Sequence, residues 1–173
     1  MARRTWEGVN RHAAKNANLK EPGAEVDGLA RAVLDAAFEV HRILGPGYLE
    51  SVYEEALAVE LGLRGVAFAR HVAFGVEDKG EGVGRARLDM LVGGQLVVEL
   101  KAVEQLAPIH LAQVLSYLKA TGRTLGLRIS FNVRELRRGV RRVVSSPSPP
   151  TGALGGVAVR SFHTHDVFDN RAR

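Results

Sequence analysis

The sequence contains no cysteine and no long hydrophobic run. Without cysteine the chain forms neither disulfides nor thiolate metal sites, so any metal ion must be bound by oxygen or imidazole ligands. A stretch of about 18 uncharged apolar residues, which a membrane-spanning helix needs, is absent. The basic N-terminal residues are not followed by the apolar segment of a signal peptide. We therefore expect a cytoplasmic protein without a membrane partner.

Length and charge narrow the class of protein further. The 173 residues suffice for one domain with a hydrophobic core and are too few for two ordinary domains. The net charge of +5 suits a polyanionic partner such as nucleic acid. Much of this charge is local, because residues 134–142 hold five arginines and one glutamate. Such a cluster is equally typical of a solvated basic surface.

Apolar residues at helical spacing predict two N-terminal helices. Residues 1–23 lack this spacing and predict a flexible basic arm. The first helix is expected from Glu25 to Leu44, because Gly45-Pro46-Gly47 follows it. The second is expected from about Leu49 to Arg64, and together they should form a hairpin. The spacing places on the buried face of the second helix Leu49, Val52, Ala56, Val59 and Leu63.

The period then falls to two, and residues 67–103 predict an antiparallel meander of three strands. The second and third strands, from about 85 and 96, each show one uniformly apolar face. A helix from Pro108 to about Thr121 and two strands, at 125–132 and 139–144, are expected next.

Residues 145–173 begin with a Pro/Ser-rich linker and continue as a tail that we expect to be disordered. The whole pattern predicts one α/β (α+β) domain over residues 24–144. Its elements run helix, helix, three strands, helix and two strands.

The turn between the second and third strands decides whether two carboxylates meet. If residues 93–95 form a three-residue glycine loop, Val92 pairs with Leu96 and Asp89 lies opposite Glu99. A two-residue turn would instead place the carboxylates on different faces of the sheet.

Two carboxylates directly across a strand pair, about 5 Å apart, repel each other and require compensation. A hard divalent cation such as Mg²⁺ or Mn²⁺ supplies it, because this ion takes one or two carboxylates together with water and phosphate oxygens. Lys101, on the face of Glu99, can contact a metal-bound water or the charge developing on phosphorus. The pattern therefore predicts a centre for metal-assisted hydrolysis, although a solvated face with a cross-strand salt bridge explains the spacing equally well.

The segment Gly47-Tyr48-Leu49-Glu50-Ser51-Val52-Tyr53 is similar to the motif that gives the GxxExxY proteins their name. The resemblance continues through residues 98–103 and 108–122 and covers about residues 27 to 144. The GxxExxY family is assigned to the PD-(D/E)xK nuclease-like superfamily, so the resemblance implies a restriction-endonuclease-like core. It also implies that Asp89 and Glu99 bind metal and that Lys101 aids the nucleophilic water.

Three further residues are candidates for the same site. Related nucleases place a helix glutamate against the metal, which makes Glu50 a candidate ligand. A first-turn glutamate also stabilises a helix N-terminus by about 0.3 to 1 kcal/mol, which is the alternative. Gln113 and Tyr117 resemble the motif that follows the Glu-x-Lys strand in the RecB-like branch, where it positions the site. A water-exposed helix edge is the alternative for this pair, for which we favour the site role. Tyr53 is expected to be a packing residue with a bonded hydroxyl.

These observations predict a Mg²⁺- or Mn²⁺-dependent nuclease that acts on DNA or RNA. The candidates for holding the nucleic-acid backbone are Arg85, Arg87, Arg137, Arg138, Arg141 and Arg142. One alternative is a catalytically silent module of the same fold that binds nucleic acid or protein, for which nucleic-acid binding would depend on salt but not on chelators. A second alternative is a structural protein of a larger particle.

Overall fold

The computed structural model describes residues 22–103 and 108–146. The helices are α1 (Ala24–Leu44), α2 (Glu50–Leu63), α3 (Pro108–Thr121) and the short α4 (Leu136–Gly139), and the strands are β1 (Phe68–Asp78), β2 (Glu81–Val92), β3 (Leu96–Lys101), β4 (Leu125–Ser130) and β5 (Val140–Val144). The predicted order of elements is confirmed, except that the sequence did not indicate α4. Most of the predicted arm and of the predicted linker and tail lies outside the described residues. Within them, no helix has the length and apolar character needed to cross a membrane.

The five strands form one sheet in the order β1-β2-β3-β4-β5. Strands β1, β2 and β3 are paired antiparallel, which confirms the predicted meander. Strands β3 and β4 are parallel, and β5 returns antiparallel at the edge. A parallel pair requires a crossover connection, and α3 lies in that connection.

Helices cover both faces of the sheet. One face packs against α1 and α2, with Val33 and Leu57 in the same cluster as Val98. The other packs against α3, where Val114 shares a cluster with Val97. Every residue of β3 except Lys101 is therefore buried. The predicted apolar face of the third strand, formed by Leu96, Val98, Leu100 and Ala102, is confirmed, and the opposite face is buried as well at Val97 and Glu99.

The alternation of β2 breaks beside Asp89. Leu88 packs in the α3 cluster and Met90 in the α1–α2 cluster, although strand residues two apart normally share a face. On the neighbouring strand His71 has a φ of 54° and interrupts the ladder with β2. The apolar side of the ribbon changes at this irregularity, which corrects the prediction of one uniform face for the second strand.

The buried face of α2 differs from the predicted one. Leu49, Val52, Val59 and Leu63 are exposed, whereas the buried residues are Tyr53, Leu57, Ala58 and Leu61. The helix carries two apolar stripes, and spacing alone does not choose between them. The stripe with the tyrosine faces the core, where the ring stacks on Phe131 at a centroid distance of 4.7 Å.

Candidate active site at the β2–β3 strand pair

Residues 93–95 form the three-residue connection on which the site depends. Val92 pairs with Leu96, as predicted, and the ladder continues to Met90 and Val98. The φ angles of the two glycines in the loop are 57° and 68°, in the left-handed region that glycine adopts without strain. Asp89 and Glu99 occupy the next positions in this register.

Beyond the last backbone pair of the β2–β3 ladder, Met90 with Val98, the side chain of Asp89 connects the two strands. Its Oδ2 accepts a hydrogen bond of 2.8 Å from the backbone N–H of Leu100. A carboxylate held by a backbone donor of the neighbouring strand has a fixed orientation. Asp89 is thus anchored beside Glu99.

Glu99 is a buried carboxylate with one oxygen that lacks a partner. The residue is 2% exposed, and its Oε2 has no hydrogen-bond partner among the described residues. Burial, followed by the negative charge of Asp89, raises the pKa of Glu99 to about 7, although the ammonium of Lys101 acts in the opposite direction. A buried carboxylate oxygen without a partner is unfavourable unless a cation or a proton joins it.

Lys101 links the strand pair to the N-terminus of α2. Its Nζ lies 3.0 Å from Glu99 Oε1 and 3.7 Å from Glu50 Oε1. Desolvation disfavours the charged amine, but the carboxylates of Glu99, Asp89 and Glu50 outweigh it and raise the pKa of Lys101. The amine is therefore protonated at neutral pH, where it can donate hydrogen bonds but cannot act as a base.

The loop before α2 explains how Glu50 reaches the site. Gly47 has a φ of 115°, and Glu50 is the first residue of the helix. The hydroxyl of Tyr53 donates a 2.7 Å hydrogen bond to the carbonyl of Gly45 and accepts one of 3.1 Å from the N–H of Tyr48. The expectation that Tyr53 packs with its hydroxyl bonded is confirmed. The tyrosine fixes the loop from which the glutamate projects.

Gln113 and Tyr117 are joined to each other. Gln113 Nε2 donates a 2.8 Å hydrogen bond to the Tyr117 hydroxyl, and the Tyr117 ring packs edge-on against Phe74 at a centroid distance of 5.1 Å. Within the described part of the chain, neither residue forms a hydrogen bond with the carboxylates or the lysine of the strand pair. Their role in the site stays a prediction.

Four of the six predicted backbone-binding arginines form two contrasting pairs. Arg85 and Arg87 are exposed on β2 and make no ion pair with any described residue. Arg137 and Arg138 both lie within ion-pair distance of Glu135. The first pair therefore presents more uncompensated positive charge than the second.

The other two arginines lie on β5. Arg141 donates to the carbonyl oxygen of Val140 at 2.7 Å. The side chain of Arg142 is 10% exposed and forms a 2.7 Å ion pair with Asp27 of α1. The ion pair holds β5 to α1 in this conformation, so the Arg142 guanidinium is less available for a phosphate than those of Arg137 and Arg138.

Arg128 on β4 is a charged neighbour of the site that the sequence analysis did not single out. It is the register partner of Glu99 in the parallel pair, and it is 0% exposed. Desolvation lowers the pKa of Arg128, while the charges of Glu99 and Glu50 act in the opposite direction. Its signal in the sequence is one arginine within an otherwise uncharged strand, Leu125–Ser130.

The side chains at the strand pair fit a hard divalent cation by their chemistry. Asp89 and Glu99 offer carboxylate oxygens, and Oε2 of Glu99 is buried without a partner. In the conformation described, the Lys101 ammonium contacts both Glu99 and Glu50. No group of three or more histidine, aspartate or glutamate side chains within residues 22–103 and 108–146 is arranged to hold a metal ion. The fit therefore rests on the paired carboxylates, a number that Mg²⁺ commonly accepts.

Comparison with protein families identifies the superfamily of this chain. The family model of the PD-(D/E)XK nuclease superfamily matches residues 27–143. The matched region runs from α1 to β5 and contains all the residues of the strand-pair site. No curated protein and no solved structure matches the chain.

Proposed function

This chain belongs to the PD-(D/E)XK nuclease superfamily, and we propose from that membership that it is a divalent-metal-dependent nuclease that hydrolyses phosphodiester bonds of DNA or RNA. One observation carries the proposal. Glu99 is buried between the carboxylate of Asp89 and the ammonium of Lys101, and its second oxygen has no partner among the described residues. We further propose that the chain is a GxxExxY protein, because Glu50 of the Gly47–Tyr53 segment lies 3.7 Å from the ammonium of Lys101.

Asp89 and Glu99 are the proposed ligands of Mg²⁺ or Mn²⁺, and Glu50 is the proposed third carboxylate. A bound divalent cation lowers the pKa of a coordinated water and offsets charge on the phosphate. Glu99 must be ionised to bind a cation, and its raised pKa means that binding competes with a proton near pH 7. The anchored carboxylate of Asp89 favours binding, because its orientation is already fixed.

Lys101 is proposed to orient the attacking water or to contact a non-bridging phosphate oxygen. Because its pKa is raised, the amine donates hydrogen bonds and does not remove the proton from the water. Gln113 and Tyr117 are proposed to support the site from α3. Basic residues of β2, α4 and β5 are proposed to hold the nucleic-acid backbone, namely Arg85, Arg87, Arg137, Arg138 and Arg141.

The test is cleavage of single- and double-stranded DNA and RNA by wild-type protein and by the variant Lys101→Ala, with Mg²⁺ or Mn²⁺. We expect the variant to lose activity by about 100-fold or more, because the removed donor acts on the reacting groups. The matched control is Lys119→Ala, which removes an exposed lysine of α3 and should leave the rate unchanged.

Circular dichroism must show that both variants are folded. Cleavage by folded Lys101→Ala at the wild-type rate contradicts the proposal. Salt-sensitive binding that persists in chelator, without cleavage of any of the four substrates, would instead support the silent binding module.

A further inference from the structure

The mechanism proposed above does not use Arg128, the buried arginine of β4. Its Nε, Nη1 and Nη2 all lack a hydrogen-bond partner among the described residues, although the residue is fully buried. A guanidinium presents five donors, and burying them without acceptors is strongly unfavourable. A side chain with this arrangement is suited to an acceptor that arrives with a ligand.

The charges around Arg128 are those of the candidate active site. Glu99 and Glu50 both act on its pKa. Desolvation, followed by the positive charges of Arg128 and Lys101, lowers the pKa of His110 at the start of α3. The positive charges of Arg128 and Lys101 therefore both act on the first turn of α3.

The exposure of the side chains decreases across the site. It falls from 44% for the side chain of Glu50 to 19% for Lys101 and 3% for Glu99. Arg128, at 0%, lies beside Glu99 at the most buried side. The open side is consequently at Glu50, and a ligand that reaches Glu99 also approaches Arg128.

Formal charge indicates what that ligand is. When Glu99 is ionised, as cation binding requires, three carboxylates and the two cations Lys101 and Arg128 leave one negative charge in the site. A divalent cation changes this to one positive charge, which a single phosphodiester neutralises. Without Arg128 the metal-loaded site would already be neutral and would attract a phosphodiester less strongly.

We propose that Arg128 binds the non-bridging oxygens of the substrate phosphodiester at this site. Guanidinium matches phosphate through paired N–H donors, which a lysine in the same place does not reproduce. The inference rests on the proposed function for the identity of the substrate, and the experiment below separates the two.

The first measurement is binding of a fluorescein-labelled oligonucleotide, as DNA and as RNA, with Ca²⁺ in place of Mg²⁺ and over a range of NaCl concentrations. Arg128→Met should bind about tenfold more weakly, and the dependence of log affinity on log salt should fall by about one. Arg128→Lys should recover the salt dependence but only part of the affinity. The matched control Arg64→Met removes an equal charge from the other end of α2 and should change neither quantity.

The second measurement is thermal unfolding of the free protein in chelator. Arg128→Met should raise the Tm, because it removes a buried charge that lacks hydrogen-bond partners. A structural arginine that stabilises Glu99 would give a lower Tm on substitution. A lower Tm together with unchanged binding overturns the proposal, as does wild-type affinity with an unchanged salt dependence.

Activity assays distinguish this proposal from the nuclease function. Protein that cleaves nothing, yet loses affinity and salt dependence in Arg128→Met, supports phosphate binding by Arg128 and contradicts the nuclease. Wild-type cleavage and binding by Arg128→Met contradict the role of Arg128 and leave the nuclease supported.

Discussion

Glu99 destabilises the free protein to an extent that depends on pH. Burial and the charge of Asp89 raise its pKa from the ordinary 4.5 to about 7. Below pH 4.5 the carboxyl is protonated in both the folded and the unfolded chain, and its ionisation does not change the free energy of unfolding. As pH rises to 7, only the unfolded chain loses the proton, so the free energy of unfolding falls by about 1.4 kcal/mol per pH unit. Above pH 7 the penalty is constant at about 3 kcal/mol.

The variant Glu99→Gln should therefore gain stability over wild-type protein as pH rises. In chelator, we expect this gain to be about 2 kcal/mol larger at pH 8 than at pH 5, because glutamine does not ionise. Urea unfolding at both pH values measures it. The control is Glu39→Gln, since the hydrogen bond from Arg42 lowers the pKa of half-buried Glu39 and the change should bring no gain at pH 8. If the stability gained by Glu99→Gln over wild-type protein is the same at both pH values, the raised pKa is contradicted.

The sequence predicted the residues of the strand pair but not Arg128. Asp89, Glu99 and Lys101 lie on neighbouring strands joined by a short turn, so strand periodicity and turn length place them together. Arg128 reaches Glu99 only because β4 pairs in parallel with β3. Which strands pair in parallel is decided by tertiary packing, and the spacing of residues along the chain does not predict it.

At the scale of elements, α2 shows where periodicity is insufficient. Its two apolar stripes both satisfy helical spacing, and the predicted one is exposed except at Ala56, which packs against the core. The choice depends on Tyr53, whose ring stacks on Phe131 and whose hydroxyl has two partners in the preceding loop. The stripe that contains Tyr53 packs inward, because the hydroxyl of this large side chain finds hydrogen-bond partners there.

Removing the hydroxyl in Tyr53→Phe should loosen the loop that positions Glu50. The ring stack remains, but the Gly45 carbonyl and the Tyr48 N–H lose their partner. We expect a loss of about 1 to 2 kcal/mol in the free energy of unfolding. Urea unfolding and the cleavage assay should both detect the change, the second as reduced activity.

Tyr48→Phe is the matched control, because Tyr48 is half exposed and its hydroxyl forms no hydrogen bond with a described residue. It should retain wild-type stability. Equal losses in the two variants would show that the hydroxyl of Tyr53 does not fix the loop.

At the scale of the whole molecule, the excess of basic charge is unevenly compensated. Arg85 and Arg87 make no ion pair with a described residue, whereas Arg137 and Arg138 share Glu135. Arg85→Ala/Arg87→Ala should therefore weaken nucleic-acid binding more than Arg137→Ala/Arg138→Ala. For duplex DNA the first double variant should reduce the salt dependence by about two, since each lost phosphate contact removes about 0.9. Fluorescence anisotropy over a salt series compares the two, and a larger effect of the second double variant would place the surface elsewhere.

Apart from α4, the order of elements was predictable because each is specified by local spacing and by glycine or proline near its ends. The arrangement of helices on both faces of the sheet was not predictable. The sequence gives no direct sign that helices cover both faces of β3, and therefore Glu99 is far more buried than a strand with one open face would allow. The same burial raises its pKa, so the feature that spacing missed is the one that shapes the chemistry of the site.

The short β2–β3 turn has a consequence for the order in which the site is assembled. The bond from Leu100 to Asp89 spans only 11 residues, so the paired carboxylates and Lys101 belong to a hairpin that closes with little loss of chain entropy. Arg128 joins them only after the chain has passed through α3 and returned to the sheet, which is the slower, non-local step. We expect the negatively charged half of the site to form early in folding and its buried arginine to be added last.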